Sequence, residues 1–198
     1  MCWNADISLN TFLFSLFALF FGLVNKRFSF LMGLFFLSFI SMQLLEYFIW
    51  KGYDNKLFSE IGLLLVLTQP LFSIISLIKD KKVVTISLIA YILFIIGIFI
   101  LYPWKLIDFS SVKAKNGHLA WNWLNFHPIV YIIWALFLLF PFIYNKQWVS
   151  LVLWLIIIGV IYLLYKKTNT WGSLFCYIAN IISIRIIANI FIKNYCTI

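Results

Sequence analysis

Long apolar runs separated by short polar connectors dominate the chain. Seven runs of 17 or more mostly apolar residues occupy positions 7–24, 28–50, 59–78, 83–102, 128–144, 149–165 and 173–192. About 20 residues at 1.5 Å each cover the roughly 30 Å hydrocarbon core of a bilayer, so each run can cross it as a helix. The pattern predicts an all-α polytopic membrane protein, in which a bundle of seven transmembrane helices forms a single domain over residues 1–198.

The composition excludes a water-soluble globule. Of the 198 residues, 65% are hydrophobic and 11% are charged, whereas a soluble protein carries about 25% charged residues. The net charge of +9 does not indicate nucleic acid, because the basic residues are scattered between the apolar runs and not clustered as phosphate contacts require. We interpret them as anchors that flank the membrane, and the lipid bilayer as the partner.

An odd number of spans places the two termini on opposite sides, called here the N-terminal face and the C-terminal face. The connectors of both faces carry equal numbers of Lys and Arg, so the positive-inside rule alone does not orient the chain. Asp6 precedes the first run, and Lys26 and Arg27 follow it, which is typical of an uncleaved anchor with its N-terminus outside. We expect an outside or lumenal N-terminus and a cytoplasmic C-terminus. The sequence does not distinguish a plasma membrane, an internal membrane of a host or a virion membrane.

Tryptophan is concentrated at the N-terminal face. Six tryptophans lie in or beside segments on that face, and a single one marks the other face: Trp3, Trp50, Trp104, Trp121, Trp123 and Trp171, against Trp148. The longest connector, residues 103–127, ends in a mixture of aromatic and amide side chains. We interpret it as an interfacial segment folded over the bundle like a lid; a plain aromatic anchor in the headgroup layer is the alternative.

Polar side chains inside the apolar runs are the best candidates for a site, because an unpaired polar group costs several kcal/mol in hydrocarbon. At 1.5 Å per residue, Glu46 lies about 6 Å below the N-terminal face, Gln43 and Asn180 about 10 Å, and Gln69 about 15 Å. Gln69 precedes Pro70, which removes a backbone donor and leaves a carbonyl one turn earlier without its helical partner. Arg185, about 18 Å below that face, is expected to extend toward the C-terminal face.

The leading hypothesis is a small-molecule or ion binding or transport bundle whose site opens on the N-terminal face. Its candidate ligand-binding residues are Gln43, Glu46, Gln69, Asn180, Trp121 and His118. One alternative is a membrane interaction or remodelling protein in which these polar groups only join helices. Another is an intramembrane enzyme that uses Glu46 with His118 or His127 as acid and base.

Several chemistries lack their residues. His118 and His127 are nine positions apart, outside the short spacings of zinc helices, and the three cysteines match no two-Cys metal spacing, so we expect no metal. His127-Pro128 matches a helix entry with Pro at the first position. The seventh run contains no lysine for a retinal Schiff base, and Arg185 keeps its proton, so no retinal is expected. The sequence leaves any other cofactor unknown.

Four short blocks resemble a family of small, uncharacterised seven-helix membrane proteins from microbes and large DNA viruses. They are the opening Met1-Cys2-Trp3, the run from Gln43 to Trp50 with Gln69-Pro70, the run from His118 to Trp123, and the run from Trp171 to Asn180. The resemblance implies a seven-helix fold and no activity. All four blocks fall on the N-terminal face or in the half of the bundle below it.

Overall fold

The structure, a computed structural model, describes residues 4–191, with side chains for all of these except 173–177 and 189–191. Met1-Cys2-Trp3 of the resemblance lies outside the described residues. Helices make up 77% of the structure, and one helix lies in each predicted run: α1 Ala5–Val24, α2 Phe30–Trp50, α3 Asn55–Leu77, α4 Lys81–Leu101, α5 Pro128–Tyr144, α6 Trp148–Tyr165 and α7 Phe175–Phe191. The all-α class is confirmed. The exception is a short hairpin of β1 Ser111–Lys113 and β2 Leu119–Trp121.

Local sequence explains where the helices begin. Asn4, Ser29, Asp54 and Asp80 each accept a backbone N–H bond in the first turn of the helix that follows, as N-cap residues do. His127 caps α5 and Pro128 occupies its first position, so the predicted helix entry is confirmed. Apart from Asn4, which precedes α1, these caps lie in connectors of both faces.

Five helices, α1 to α4 and the stretch from Trp148 to Thr168 that contains α6, are long and apolar enough to cross a membrane. Two are shorter, namely α5 with 17 residues and the 178–188 part of α7. Large apolar side chains on α4 and α6 are exposed along their outer faces, for example Ile92, Ile96, Leu155 and Leu163. A helix that presents this surface needs an apolar solvent or a partner. The fold is compatible with a multi-pass membrane protein.

Helix α2 lies at the centre of the bundle and packs against α1, α3 and α7. Hydrogen bonds place α5 beside α3 in a parallel direction, because Trp134 Nε1 donates to the Val66 carbonyl at 3.0 Å and Asn145 Nδ2 to the Leu77 carbonyl at 2.9 Å. Both helices therefore begin at the N-terminal face. Helices α4 and α6 lie on the outside.

Pro70 accounts for one of these bonds. A proline removes the N–H that would bond to the carbonyl four residues earlier, which on α3 is Val66. Trp134 on α5 supplies the replacement donor, and Tyr91 Oη on α4 donates to the next carbonyl, Leu67, at 2.8 Å. The carbonyl that the sequence predicted to lose its partner thus fastens α5 to α3.

Candidate functional site

Gln43 and Glu46 lie on one face of α2, and both side chains are fully buried. The burial of a carboxyl group inside a bundle with an apolar exterior costs free energy, and this makes the residue a specific candidate for a site. Helices that carry so polar a pair at this depth fold only when the pair is enclosed by other protein groups. The structure places this pair in the interior, as the sequence predicted, on the helix that packs against α1, α3 and α7.

Gln69 faces the same helix from α3. Its Nε2 donates to the Ser38 carbonyl at 3.5 Å, and the side chain is fully buried. Its Oε1 accepts no hydrogen bond from the described residues. Because α2 and α3 run antiparallel, Glu46 lies eight residues, or about 12 Å, closer to the N-terminal face than Ser38. Glu46 is therefore level with Gly62, the eighth residue of α3.

Two indole rings meet α3 at that level. Trp121 and Trp123 are 0% and 2% exposed, and their rings pack edge to face with centroids 5.5 Å apart. A side-chain carbon at Gly62 would lie 2.8 Å from Trp121 Cζ3 and 3.3 Å from Trp123 Cζ2, so the rings occupy the space that a glycine leaves. The end of the 103–127 connector therefore fills the N-terminal end of the bundle and does not lie flat on its surface.

Polar contacts hold the hairpin in place. Asn55 at the start of α3 donates through Nδ2 to the Ser111 carbonyl at 2.7 Å and accepts from the Ser111 N–H at 2.9 Å. The Ser59 and Ser111 hydroxyls are 2.9 Å apart. On the other side, the Trp121 N–H donates to the Asn169 carbonyl at 3.2 Å, and Asn116 Nδ2 donates to Thr170 Oγ1 at 2.9 Å. The hairpin thus bridges α3 and the segment before α7.

The two histidines have different positions. His118 is buried at the start of β2, where its ring packs edge to face with Tyr165 at 6.1 Å. This burial lowers the pKa of His118 below its ordinary value. His127 is exposed, its Nδ1 accepts the Ile129 N–H at 3.4 Å, and no hydrogen bond or ion pair joins it to Glu46.

Asn180 is half-buried on α7, one residue after the fully buried Ala179. Of the six candidate residues, the structure buries five and leaves Asn180 half-buried; the five are Gln43, Glu46, Gln69, Trp121 and His118. Among the residues that the structure describes, no group of three or more His, Cys, Asp or Glu side chains could hold a metal ion.

A cavity of about 270 Å³ lies between α2, α6 and α7, and its lining on α7 extends from Ile178 to Ile186. None of the six predicted site residues lines it. Most of its walls are Phe, Ile and Leu side chains, and its polar groups are Gln147, Ser150 and Arg185. Arg185 is exposed.

Sequence reasoning missed Trp123, Asn55 and Ser111. Trp123 had the same signal as Trp121, since it lies two residues away in the same aromatic block. Asn55 and Ser111 are 56 positions apart, and their pairing depends on the register of a hairpin that the apolar pattern did not indicate. Asp54, which has the residue type of a helix cap, is a signal that could have shown that α3 begins at Asn55.

No family model matches the chain, and no curated protein or solved structure matches it.

Proposed function

We propose that the chain is a seven-span membrane protein that binds, and in turn transports, a small polar molecule or ion inside the bundle below the hairpin. The observation that supports it is the complete burial of Gln43, Glu46 and Gln69 on two facing helices. Polar and ionisable side chains inside a membrane rarely face the lipid, and they often mark ligand or proton pathways. Trp121 and Trp123 close this site toward the N-terminal face.

The unpaired atoms near the site indicate the ligand chemistry. Among the described residues, Gln69 Oε1 accepts no hydrogen bond, and Trp123 Nε1 and Trp50 Nε1 donate none. A ligand that offers both donors and acceptors, such as a hydroxylated or amino compound, would complement these groups. An ionised Glu46 carboxylate would present a negative charge to the ligand, and a protonated one would present a proton.

The test compares Glu46→Gln with Glu60→Gln, a matched change at a half-buried acidic residue on α3. Thermal unfolding in detergent would be measured against pH and against a panel of ions and polar metabolites. We expect Glu46→Gln to fold and to lose the ligand-induced or pH-induced shift, because the amide keeps the shape and removes the charge. Glu60→Gln should keep that shift. If Glu46→Gln unfolds like the parent and every ligand shift survives, the binding proposal is wrong.

A second candidate is a membrane interaction or remodelling protein whose polar groups only join helices. The bond from Gln69 to the Ser38 carbonyl and the one from Ser183 to Ser15, at 2.9 Å between α7 and α1, favour it. In that case Glu46→Gln should be neutral or slightly stabilising, because it removes a charge that is costly to desolvate. For the alternative of an intramembrane enzyme, His118 remains the candidate base, since His127 caps α5.

The seven-span topology is part of the proposal. Helix α5 has 17 residues, at the lower end of the roughly 17 to 25 that cross a bilayer. Its parallel hydrogen bonding to α3 supports a full crossing. Maleimide labelling of single-cysteine variants in sealed vesicles should reach positions in the 103–127 connector from outside and residue 146 from the cytoplasm. The reverse pattern would invert the orientation.

A further inference from the structure

The cavity between α2, α6 and α7 opens sideways toward the surroundings of the bundle. Leu153 on α6 and Ile181 on α7 both line it, and they are 48% and 55% exposed. Phe36, Phe39 and Ile178 form buried parts of its wall. A cleft with a buried apolar wall and an open side between two helices can take up a chain from the bilayer without opening the bundle.

The polar groups of the cleft lie at its end near the C-terminal face. Gln147 and Ser150 belong to the start of α6, where Trp148 is 57% exposed, as is typical of the headgroup layer. From Arg185 the lining continues along α7 to Ile178, a distance of about 10 Å. The cleft is therefore polar at headgroup level and apolar at acyl-chain level.

The charge around this end favours an anion. No acidic side chain of the described residues forms an ion pair with the exposed Arg185. The neighbouring turns contribute Lys26, Arg27 and Lys146, and Asp80 is the single acidic residue in the connectors of this face. Basic pockets between transmembrane helices bind anionic lipid headgroups through their phosphates, which a guanidinium can contact with two parallel hydrogen bonds.

We propose that this cleft binds an anionic phospholipid, with one acyl chain between α6 and α7 and the phosphate at Arg185, Gln147 and Ser150. A volume of about 270 Å³ is close to the roughly 300 Å³ at which ligand pockets begin, which suits part of one chain. The site requires that the helices lie in a bilayer, but it does not depend on the polar site near Glu46.

The test measures lipid binding to the full chain in detergent by native mass spectrometry and by thermal stabilisation. Phosphatidylglycerol is compared with phosphatidylcholine of the same acyl chains, with oleate and with inorganic phosphate. We expect phosphatidylglycerol to bind, and Arg185→Gln to weaken it by about tenfold, as the loss of a charge-assisted hydrogen bond implies. Lys82→Gln, a basic residue on the same face outside the cleft lining, should have no effect.

A second pair of variants tests the apolar part. Leu153→Trp should fill the cleft and abolish the stabilisation by phosphatidylglycerol, whereas Leu155→Trp, on the outer face of α6, should preserve it. Any one of three results would overturn the proposal. They are equal binding of phosphatidylcholine, an unaltered response to phosphatidylglycerol in Arg185→Gln, and an unaltered response in Leu153→Trp. Oleate or free phosphate that binds as well as phosphatidylglycerol would overturn the assignment to a phospholipid. Glu46→Gln should leave lipid binding intact, so the two proposals fail separately.

Discussion

The two ends of the bundle are built differently. At the N-terminal face, a connector of 26 residues between α4 and α5 folds into a hairpin, and two fully buried indoles fill the space between the helices. At the C-terminal face, turns of three to five residues link the helices. They cap helix ends, and a cleft lined by Arg185 remains between α6 and α7.

The difference follows from connector length. A short turn has enough residues to satisfy helix termini, as Asp80 does for α4 with bonds to two backbone N–H groups, but none to cover a gap. A long connector can insert side chains into the bundle and exclude lipid and water from its end. We conclude that polar groups near the N-terminal face are enclosed by protein, whereas a cleft stays open between the helices at the opposite end.

The largest expected effect is the loss of an indole from the closed end. Trp121→Ala should lower the free energy of unfolding by about 3 to 5 kcal/mol, as large-to-small core changes do. Trp148→Ala at the open end should change it by about 0.5 kcal/mol or less, because that ring is exposed. Denaturant unfolding in detergent checks both, and equal effects would contradict a closed N-terminal end.

Substitution of two glycines by alanine compares the packing at the closed end with that on an outer helix. Gly62→Ala places a carbon 2.8 Å from Trp121 Cζ3, and it should destabilise the fold by about 1 to 3 kcal/mol. Gly97→Ala on the outer helix α4 meets nothing within 4 Å and should stabilise it by about 0.5 to 1 kcal/mol. The midpoints of the same unfolding curves measure both. A stabilising Gly62→Ala would mean that the indoles do not pack against α3.

Substitution of two asparagines compares the attachment of the hairpin with that of a short turn at the C-terminal face. Asn55→Ala removes two bonds between α3 and the hairpin, and it should cost about 1 to 3 kcal/mol. Asn145→Ala removes one exposed bond to the Leu77 carbonyl, and it should cost about 0.5 to 1.5 kcal/mol. Hydrogen exchange should show faster exchange of residues 111–121 in Asn55→Ala alone. Unchanged protection there would show that the hairpin is held by its indoles only.

The smallest expected effect concerns pH. Burial lowers the pKa of His118 below its ordinary value of 6.5, so the folded chain favours the neutral ring. The stability that depends on this residue should be complete above pH 6.5 and should decrease as the pH falls through 6.5 toward the lower folded pKa. His118→Phe should flatten the melting temperature over this range, whereas His127→Gln should not. A flat parent curve would contradict a buried, neutral His118.

The sequence by itself determined the helical class and the position of every helix. Apolar runs of this length form helices in which all backbone bonds are internal, and polar caps such as Asp54, Asp80 and His127 set their starts. It also gave the depth of Gln43, Glu46 and Gln69 within the apolar runs, because depth along a helix is fixed by 1.5 Å per residue. The carbonyl freed by Pro70 was likewise predictable, since it depends on one local bond.

Only the tertiary structure decided which groups meet. Trp134 bonds to the Val66 carbonyl, Asn55 bonds to Ser111, and two indoles pack against Gly62. These pairings join residues that are 56 or more positions apart, and some depend on the register of a hairpin that the apolar periodicity does not indicate. The cleft at Arg185 was also hidden from the sequence, because a gap is a property of helix spacing and not of any residue. Position along a helix is local, whereas enclosure depends on the packing of several segments, and so the depth of a polar residue was predictable but its surroundings were not.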